Sequence, residues 1–416
     1  MIKISCNKAF SLCVALLLTL SFPAAALAMD DEIPLNRALE QFYKNNYDML
    51  INKYEIDKAE ADFVGTKLLP NPSLSFNYIG LGLSSFPNAG DNTQMTVRLD
   101  QLIELGGKKG FRVEAAQETL EAAKLGYRDT IRTLLSGFYT LFYNLKLDVL
   151  NAELAKDELQ RFDRTLGIAQ KRFSAGHLSL VDYTKIRIAR IDLENTLTTV
   201  ETQLKNDSEQ FRFLIGSVKT PSPLLLLKET FPDYDEDRLT ELAYQNRYDL
   251  LSLQKQQKAA GYNNSLAKAG QIPDITVGAE YDAYGIHNTP TVGFGFSIPL
   301  PLFNRNQGEI QRRNAEYGQI EAQIEKTRKQ IVVDVRLAIN NFAASLKVYE
   351  SYKTRKAEME ELLNRSEKAF SLGGITALDL LDTQKTHRDF MTKYNQSIIQ
   401  SNLNEELIKV ATGEIK

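Results

Sequence analysis

The chain has 416 residues, 43% of them hydrophobic, with 50 basic and 53 acidic side chains and a net charge of −3. Such a balance, without a basic tail or stripe, gives no electrostatic support for nucleic-acid binding. Both cysteines, Cys6 and Cys13, fall within the first 28 residues, so disulfides, thiolate metal sites and cysteine nucleophiles are not expected of the remainder.

Residues 1–28 read as a secretory signal. Lys3 and Lys8 precede an apolar stretch from Ala9 to about Phe22, and Ala26-Leu27-Ala28 forms a small-x-small cleavage site. The apolar core is shorter than the roughly 20 residues of a spanning helix, which argues against a membrane anchor. Removing the signal takes away Lys3 and Lys8 and no acid, lowering the net charge to −5. No later run approaches 18 apolar residues, so an exported chain of this kind can cross a membrane only with β-strands.

Proline divides the rest. Residues 88–220 and 302–416 contain none, and proline-free blocks are where long helices can form. In the first block, apolar residues from Leu120 through Tyr127, Leu134, Leu141, Ala155 and Phe162 to Phe173 recur at gaps of three or four. The mean gap of about 3.5 is the coiled-coil period. A helix over 107–174 is expected, running roughly 100 Å at 1.5 Å per residue. It ends at Ser174-Ala175-Gly176-His177-Leu178, and a second helix over 179–215 begins with Ser179 as its cap.

The chain repeats itself. Phe173-Ser174-Ala175-Gly176 returns as Phe370-Ser371-Leu372-Gly373, with Ser179 and Asp182 returning as Thr376 and Asp379, at an offset of 197. Asn46-Tyr47-Asp48-Met49-Leu50 returns as Arg247-Tyr248-Asp249-Leu250-Leu251 at an offset of 201. Two halves follow: a first repeat over 29–216, a linker over 217–238 and a second repeat over 239–416. Each reads helix, strand pair, long helix, tip, helix; in the second half the long helix is expected over 305–372 and the last over 376–411.

Alternating apolar and polar residues place strands at about 72–81, 93–102, 274–284 and 291–299, each near the length of a tilted barrel strand. Their polar positions include Arg98, Asp100, Glu280 and Asp282, which suit a wet barrel lumen. Alternation alone also fits a half-buried soluble sheet. In a membrane, however, four strands cannot close, and an open sheet would expose two edges to lipid, so the barrel must be shared between chains. The loops at Gly82–Asn92 and Gly285–Pro290 would then lie outside the cell.

At this point the chain resembles the TolC family of outer-membrane efflux ducts over its whole mature length. Gln101-Leu102-Ile103-Glu104-Leu105-Gly106-Gly107-Lys108-Lys109 and Pro299-Leu300-Pro301-Leu302-Phe303-Asn304-Arg305-Asn306-Gln307-Gly308 resemble the strand-to-helix crossings of its heavy-metal branch, the CzcC-like ducts. The resemblance implies a mainly α fold with a small β part: a duplicated outer-membrane-factor fold with a long coiled-coil tunnel and four transmembrane strands per chain, closing a 12-strand barrel as a homotrimer. It further implies a passive exit duct of a tripartite pump, partnered by a periplasmic adaptor, an inner-membrane RND transporter and outer-membrane lipid. The crossings also suit a chain leaving lipid, with Lys108, Lys109 and Arg305 near headgroups.

The resemblance assigns adaptor docking to the helix tips, Gly176, Leu178 and Ser179 with Gly373, Ile375 and Thr376, although turn chemistry alone accounts for the glycines. It matches Asp379 and Asp382 to paired aspartates at the periplasmic entrance. Three apart, they share a helix face, and three copies would give acidic rings that favour cations. The alternative is a first-turn acid favoured by the helix dipole, the reading preferred for Asp182. No arginine stands in the second tip loop, where some family members tie the entrance shut; Ile375 and Thr376 occupy it. No resident metal or cofactor is expected: His177, His287 and His387 are scattered, and Asp233, Asp235 and Asp237 mimic a calcium loop whose Gly and Glu positions hold Arg238 and Tyr244. Catalysis has no support; Gly106-Gly107-Lys108-Lys109 lacks the first Gly and the Ser or Thr of a phosphate loop. Cargo stays open between metal ions and organic compounds, and a structural periplasmic coiled coil is the reading from another class.

Overall fold

The computed structural model describes residues 31–79, 94–283 and 289–414. The signal segment, Gly82–Asn92, His287 and most of Gly285–Pro290 lie outside the described residues.

Strand β1 (Asp31–Pro34) leads into helices α1 (Leu35–Asn45) and α2 (Tyr47–Lys67), followed by β2 (Ser73–Ile79) and β3 (Gln94–Ile103). Helix α3 (Lys108–Ser174) is continuous for 67 residues, and α4 (Leu180–Ile215) returns antiparallel to it. After β4 (Pro221–Leu224) the pattern repeats with α5 (Glu236–Asn246), α6 (Tyr248–Ala269), β5 (Ile275–Ala283), β6 (Thr291–Ser297), α7 (Gln307–Lys353), α8 (Lys356–Leu372) and α9 (Ala377–Thr412).

Three expectations need correction. The helix over 305–372 is two helices: α7 ends at Lys353 and α8 begins at Lys356. The Thr354 hydroxyl donates to the carbonyls of Glu350 and Ser351, drawing on acceptors that the helix ladder uses, and Arg355 leaves the helical region at φ −108°, ψ 1°. The linker 217–238 is structured at both ends: β4 pairs in parallel with β1, Asp31 opposite Pro221, and α5 already starts at Glu236. Finally, the opening helix of each half is a broken pair, divided at Asn46 and at Arg247.

The duplication is visible in how those breaks are held. Asn46 Nδ2 donates to the Leu214 carbonyl near the end of α4, 3.3 Å, and Arg247 Nη1 donates to the Ala411 carbonyl near the end of α9, 3.3 Å. Gly216 and Gly413, just past those helices, pack against Asn45 and Asn246 so closely that a Cβ would meet them at 2.6 and 2.9 Å.

The four long strands form one antiparallel sheet in the order β2-β3-β5-β6. Helices α2, α3, α6 and α7 continue from its ends and pack in the same order, α2 on α3, α3 on α6, α6 on α7. Beyond them α3 packs on α4 and α9, and α9 on α7 and α8. Because α3 has neighbours on two sides, it buries more than one stripe. Phe138, Leu145, Phe162 and Ala169 come from the 3.5-residue pattern, while Leu135 and Phe142 flank it.

The main core gathers Phe42, Phe138, Phe142 and Phe211 where α1, α3 and α4 meet, with Tyr349 of α7 buried in the same cluster. A smaller cluster of Phe162, Ala169, Ile186, Phe370, Ala377 and Leu380 lies toward the helix tips.

Candidate channel wall and entrance

The register of the sheet decides which charges meet. Arg98 on β3 stands directly opposite Glu280 on β5, with Asp100 opposite Gly278 and Thr96 opposite Asp282. Arg98 Nε lies 2.9 Å from both carboxylate oxygens of Asp100, and its Nη1 lies 3.2 Å from Glu280 Oε2. One cation is thus shared by two acids. Asp282 stands apart and accepts from the Thr96 hydroxyl and from Gln94 Nε2. Glycine makes room for these side chains: a Cβ on Gly278 would sit 2.1 Å from Asp100 Oδ1, and one on Gly293 would sit 3.0 Å from Glu280 Cγ. Of the four expected lumen residues, three form one cluster and the fourth is separate.

The opposite face of the sheet is apolar and uncovered. Leu74, Phe76 and Tyr78 on β2, Leu99 on β3, Tyr281 on β5, and Val292, Phe294 and Phe296 on β6 are all exposed. Where strands become helices, ion pairs fix the crossing: Lys108 Nζ lies 2.7 Å from Asp274 Oδ1, and Arg112 Nη1 lies 2.6 Å from Glu104 Oε1.

At the other end of the long helices the two tips come together. Gly176 and Gly373 adopt left-handed φ values of 76° and 84°, which glycine accepts without a Cβ penalty. The amides of His177 and Gly374 reach back to the carbonyls of Arg172 and Ala369, the same closing turn in both halves. Leu178 and Ile375 both pack on the tip core, while Ser179 and Thr376 cap α4 and α9.

Asp182 and Asp379 hold equivalent places, each third into its helix. The Asp379 amide donates to Thr376 Oγ1 at 3.2 Å, and the Thr376 amide donates to Asp379 Oδ2 at 3.1 Å, a reciprocal cap. The Thr376 hydroxyl and amide hold the Asp379 carboxyl below the usual carboxylate range. The capping account given above for Asp182 therefore covers Asp379 as well. Asp382, one turn on, is exposed and makes no hydrogen bond or ion pair among the described residues. Asp235, from the calcium-like run, caps α5 by accepting from the Arg238 amide. Among the described residues no group of three His, Cys, Asp or Glu side chains could hold a metal.

Two cross-links between the hairpins escaped the sequence reading. Arg172 joins the tips, and, further along the rod, His387 Nδ1 on α9 lies 3.2 Å from Glu158 Oε1 on α3, both residues buried. Glu158 sits among α3 residues that face inward, and this was the only signal available beforehand: a charged side chain at helical spacing from Phe162 and Ala155.

A four-stranded sheet with one apolar and one charged face, continued by helices of up to 67 residues, is the architecture of a channel-forming outer-membrane protein. The chain belongs to the outer membrane efflux protein family, whose model matches residues 38–217 and 239–397. Among its relatives, the cobalt-zinc-cadmium resistance protein CzcC of Cupriavidus metallidurans is 27% identical over 85% of this chain and 84% of its own length. The outer membrane protein TolC of Escherichia coli is 25% identical over 68% of this chain and 62% of its own length. Among solved structures, CusC superposes with a TM-score of 0.79 over 91% of both chains at 16% identity. VceC of Vibrio cholerae gives 0.75 over 91% of this chain and 95% of its own at 17% identity. The protein is accordingly an outer-membrane efflux channel component with its helical rod in the periplasm, and both fold and family are those of ducts rather than enzymes.

Proposed function

We propose that three copies of this chain close a 12-strand barrel and a continuous helical tunnel, forming the passive exit duct of a tripartite RND-type pump that exports heavy-metal cations. The observation that carries the assembly is the pair of open sheet edges. Strands β2 and β6 each have one neighbour, and unpaired backbone groups in lipid cost several kcal/mol each. Edge-to-edge pairing of β6 with β2 of the next copy satisfies both edges at once, and α7 and α2 meet by the same rotation.

Cation cargo draws on two supports. The relatives include CzcC and a nickel-cobalt-cadmium resistance protein of Alcaligenes xylosoxydans, 22% identical. The sheet's charged face carries three acids, Asp100, Glu280 and Asp282, against the single cation Arg98. Asp382, with Asp379 beside it, would add carboxylates at the periplasmic entrance, and the tips at Gly176, Leu178, Ser179, Gly373, Ile375 and Thr376 would receive the adaptor.

A strain lacking the gene, challenged with zinc, cobalt, cadmium, copper and silver salts beside dyes and antibiotics, tests the cargo. Selective metal sensitivity restored by the intact gene is expected. Sensitivity to organic compounds alone would leave the duct and overturn its cargo.

A further inference from the structure

On the polar face of the sheet, charge is confined to the two central strands. Arg98 and Asp100 stand on β3, Glu280 and Asp282 on β5. The edge strands carry no charge at that parity: Ser73, Ser75 and Asn77 of β2 and Thr291, Gly293 and Gly295 of β6 line up beside them. A seam between copies, formed by β2 and β6, therefore adds no charge to this face. Its electrostatics are decided within one chain.

The four charges are not equivalent. Asp100 leans over Gly278 on the next strand, and Glu280 leans over Gly293 on the strand beyond; a Cβ at either glycine would strike the acid, at 2.1 and 3.0 Å. Both acids thus lie along the sheet, and Arg98 lies between them, 2.9 Å from Asp100 and 3.2 Å from Glu280. Asp282 has no such partner. It accepts only from neutral donors, the Thr96 hydroxyl and Gln94 Nε2, and forms no ion pair among the described residues.

We propose that Asp282 is the residue that selects cations within the barrel, and that Asp100 and Glu280 serve to hold Arg98 flat against its wall, out of the path of the ions. The proposal rests on the barrel reading above and names the side chains that discriminate inside it. Twelve strands about 4.8 Å apart, tilted by about 40°, enclose a backbone cylinder of roughly 12 Å radius. A carboxylate reaching about 4 Å inward lies roughly 8 Å from the axis, within the screening length of about 10 Å in 0.1 M salt. Three such carboxylates raise the cation concentration on the axis about threefold. The longer side chain of a released Arg98 would reach at least as far inward and oppose them, whereas the clamped guanidinium is neutralised where it lies.

Reversal potentials of the full-length protein in planar bilayers, under a potassium chloride gradient around 0.1 M, test this. The parent for all variants carries Asp379→Asn and Asp382→Asn, so that the entrance carboxylates do not contribute. Asp282→Asn is expected to lower the potassium-to-chloride permeability ratio about twofold or more, and Arg98→Gln to raise it. Asp100→Asn with Glu280→Gln, which releases the arginine, should bring the ratio to about one or below and reduce the single-channel conductance. These differences in permeability ratio should collapse at 1 M salt, where the screening length is about 3 Å. An unchanged ratio in the Asp282→Asn variant, or a difference that persists at 1 M salt, would overturn the assignment. A variant lacking both Asp100 and Glu280 charges that stays as cation-selective as its parent would overturn the clamp. If the parent itself forms no channels, the barrel reading fails and the assignment with it.

Discussion

Arg172, near the end of α3, donates through Nη1 to the Phe370 carbonyl at the end of α8, 2.6 Å away, and its guanidinium carbon lies 4.8 Å from the centre of the Phe370 ring. Nη2 lies 3.5 Å from the His177 carbonyl in its own tip. One side chain thus ties the two hairpin tips together. A charged hydrogen bond of this kind contributes roughly 1.5–3 kcal/mol, less where water competes. Arg172→Ala is expected to loosen the tips and raise the mean conductance of channels in planar bilayers, with Arg172→Lys, which keeps charge but loses the fork, intermediate. Identical conductance in all three would exclude a role in holding the entrance.

At the entrance, charge and capping can be separated. Asp379→Asn with Asp382→Asn keeps an oxygen facing the Thr376 amide while removing both charges, and it is expected to weaken block of the channel by multivalent cations. Asp379→Ala also removes the carboxylate half of the reciprocal cap of α9, while the Thr376 hydroxyl still accepts from the amide at 379, and should lower the melting temperature slightly. If the asparagine pair leaves cation block unchanged, the acidic ring is wrong and only the cap remains.

Arg247 is 3% exposed and bridges Asp249 at 2.6 Å and Asp334 at 2.9 Å while donating to the Ala411 carbonyl. Arg247→Leu leaves two half-buried carboxylates without the cation they share, a change expected to cost about 3 kcal/mol or more. Thermal unfolding in detergent would reveal it. An unaltered melting temperature would mean that the two acids are satisfied by water.

Burial, and then the neighbouring Asp207 carboxyl across the α3–α4 seam, pushes the Asp148 carboxyl up to about 7. An unfolded aspartate titrates near 3.9, so between about pH 4 and 7 the folded chain holds a proton that the unfolded chain has lost. Stability therefore falls as pH rises through that window and stays lower above it. Asp148→Asn should flatten the dependence and melt a few degrees higher than the parent above pH 7. A parent whose melting temperature does not fall from pH 5 to pH 8 would contradict this.

On the channel wall two glycines of β5 and β6 make a matched pair. A Cβ on Gly278 would overlap Asp100 Oδ1 at 2.1 Å, whereas Gly295 opposite it has nothing within 4 Å. Gly278→Val should displace Asp100 from Arg98 and cost about 1–3 kcal/mol, while Gly295→Ala should be tolerated. Equal melting temperatures for the two would show that Asp100 moves aside freely.

Proline spacing, the 3.5-residue apolar period and the two-residue alternation were sufficient to find the continuous α3 and the long strands, because each is a property of residues near one another in sequence, and the internal repeat carried the tip glycines from one half to the other. Arg98, Asp100, Glu280 and Asp282 could be assigned to one face of the sheet by parity alone. Which of them touch could not, because pairing depends on the register between β3 and β5, set by strands that are 172 residues apart in sequence from Ile103 to Ile275. The break at Thr354 was hidden for a different reason: no proline or glycine marks it, and a side chain bonding to its own helix leaves no periodic trace. Arg172 on Phe370, His387 on Glu158 and Arg247 on Asp334 were invisible beforehand, since a charged residue on a long helix reads as solvated until a second helix is laid against it. Local periodicity thus determined the four long strands, the continuous α3 and their order in this chain; tertiary packing decided the helix breaks, the β1–β4 pair, the charge pairs and the joined tips, because those depend on which surfaces are brought within a few ångströms of each other.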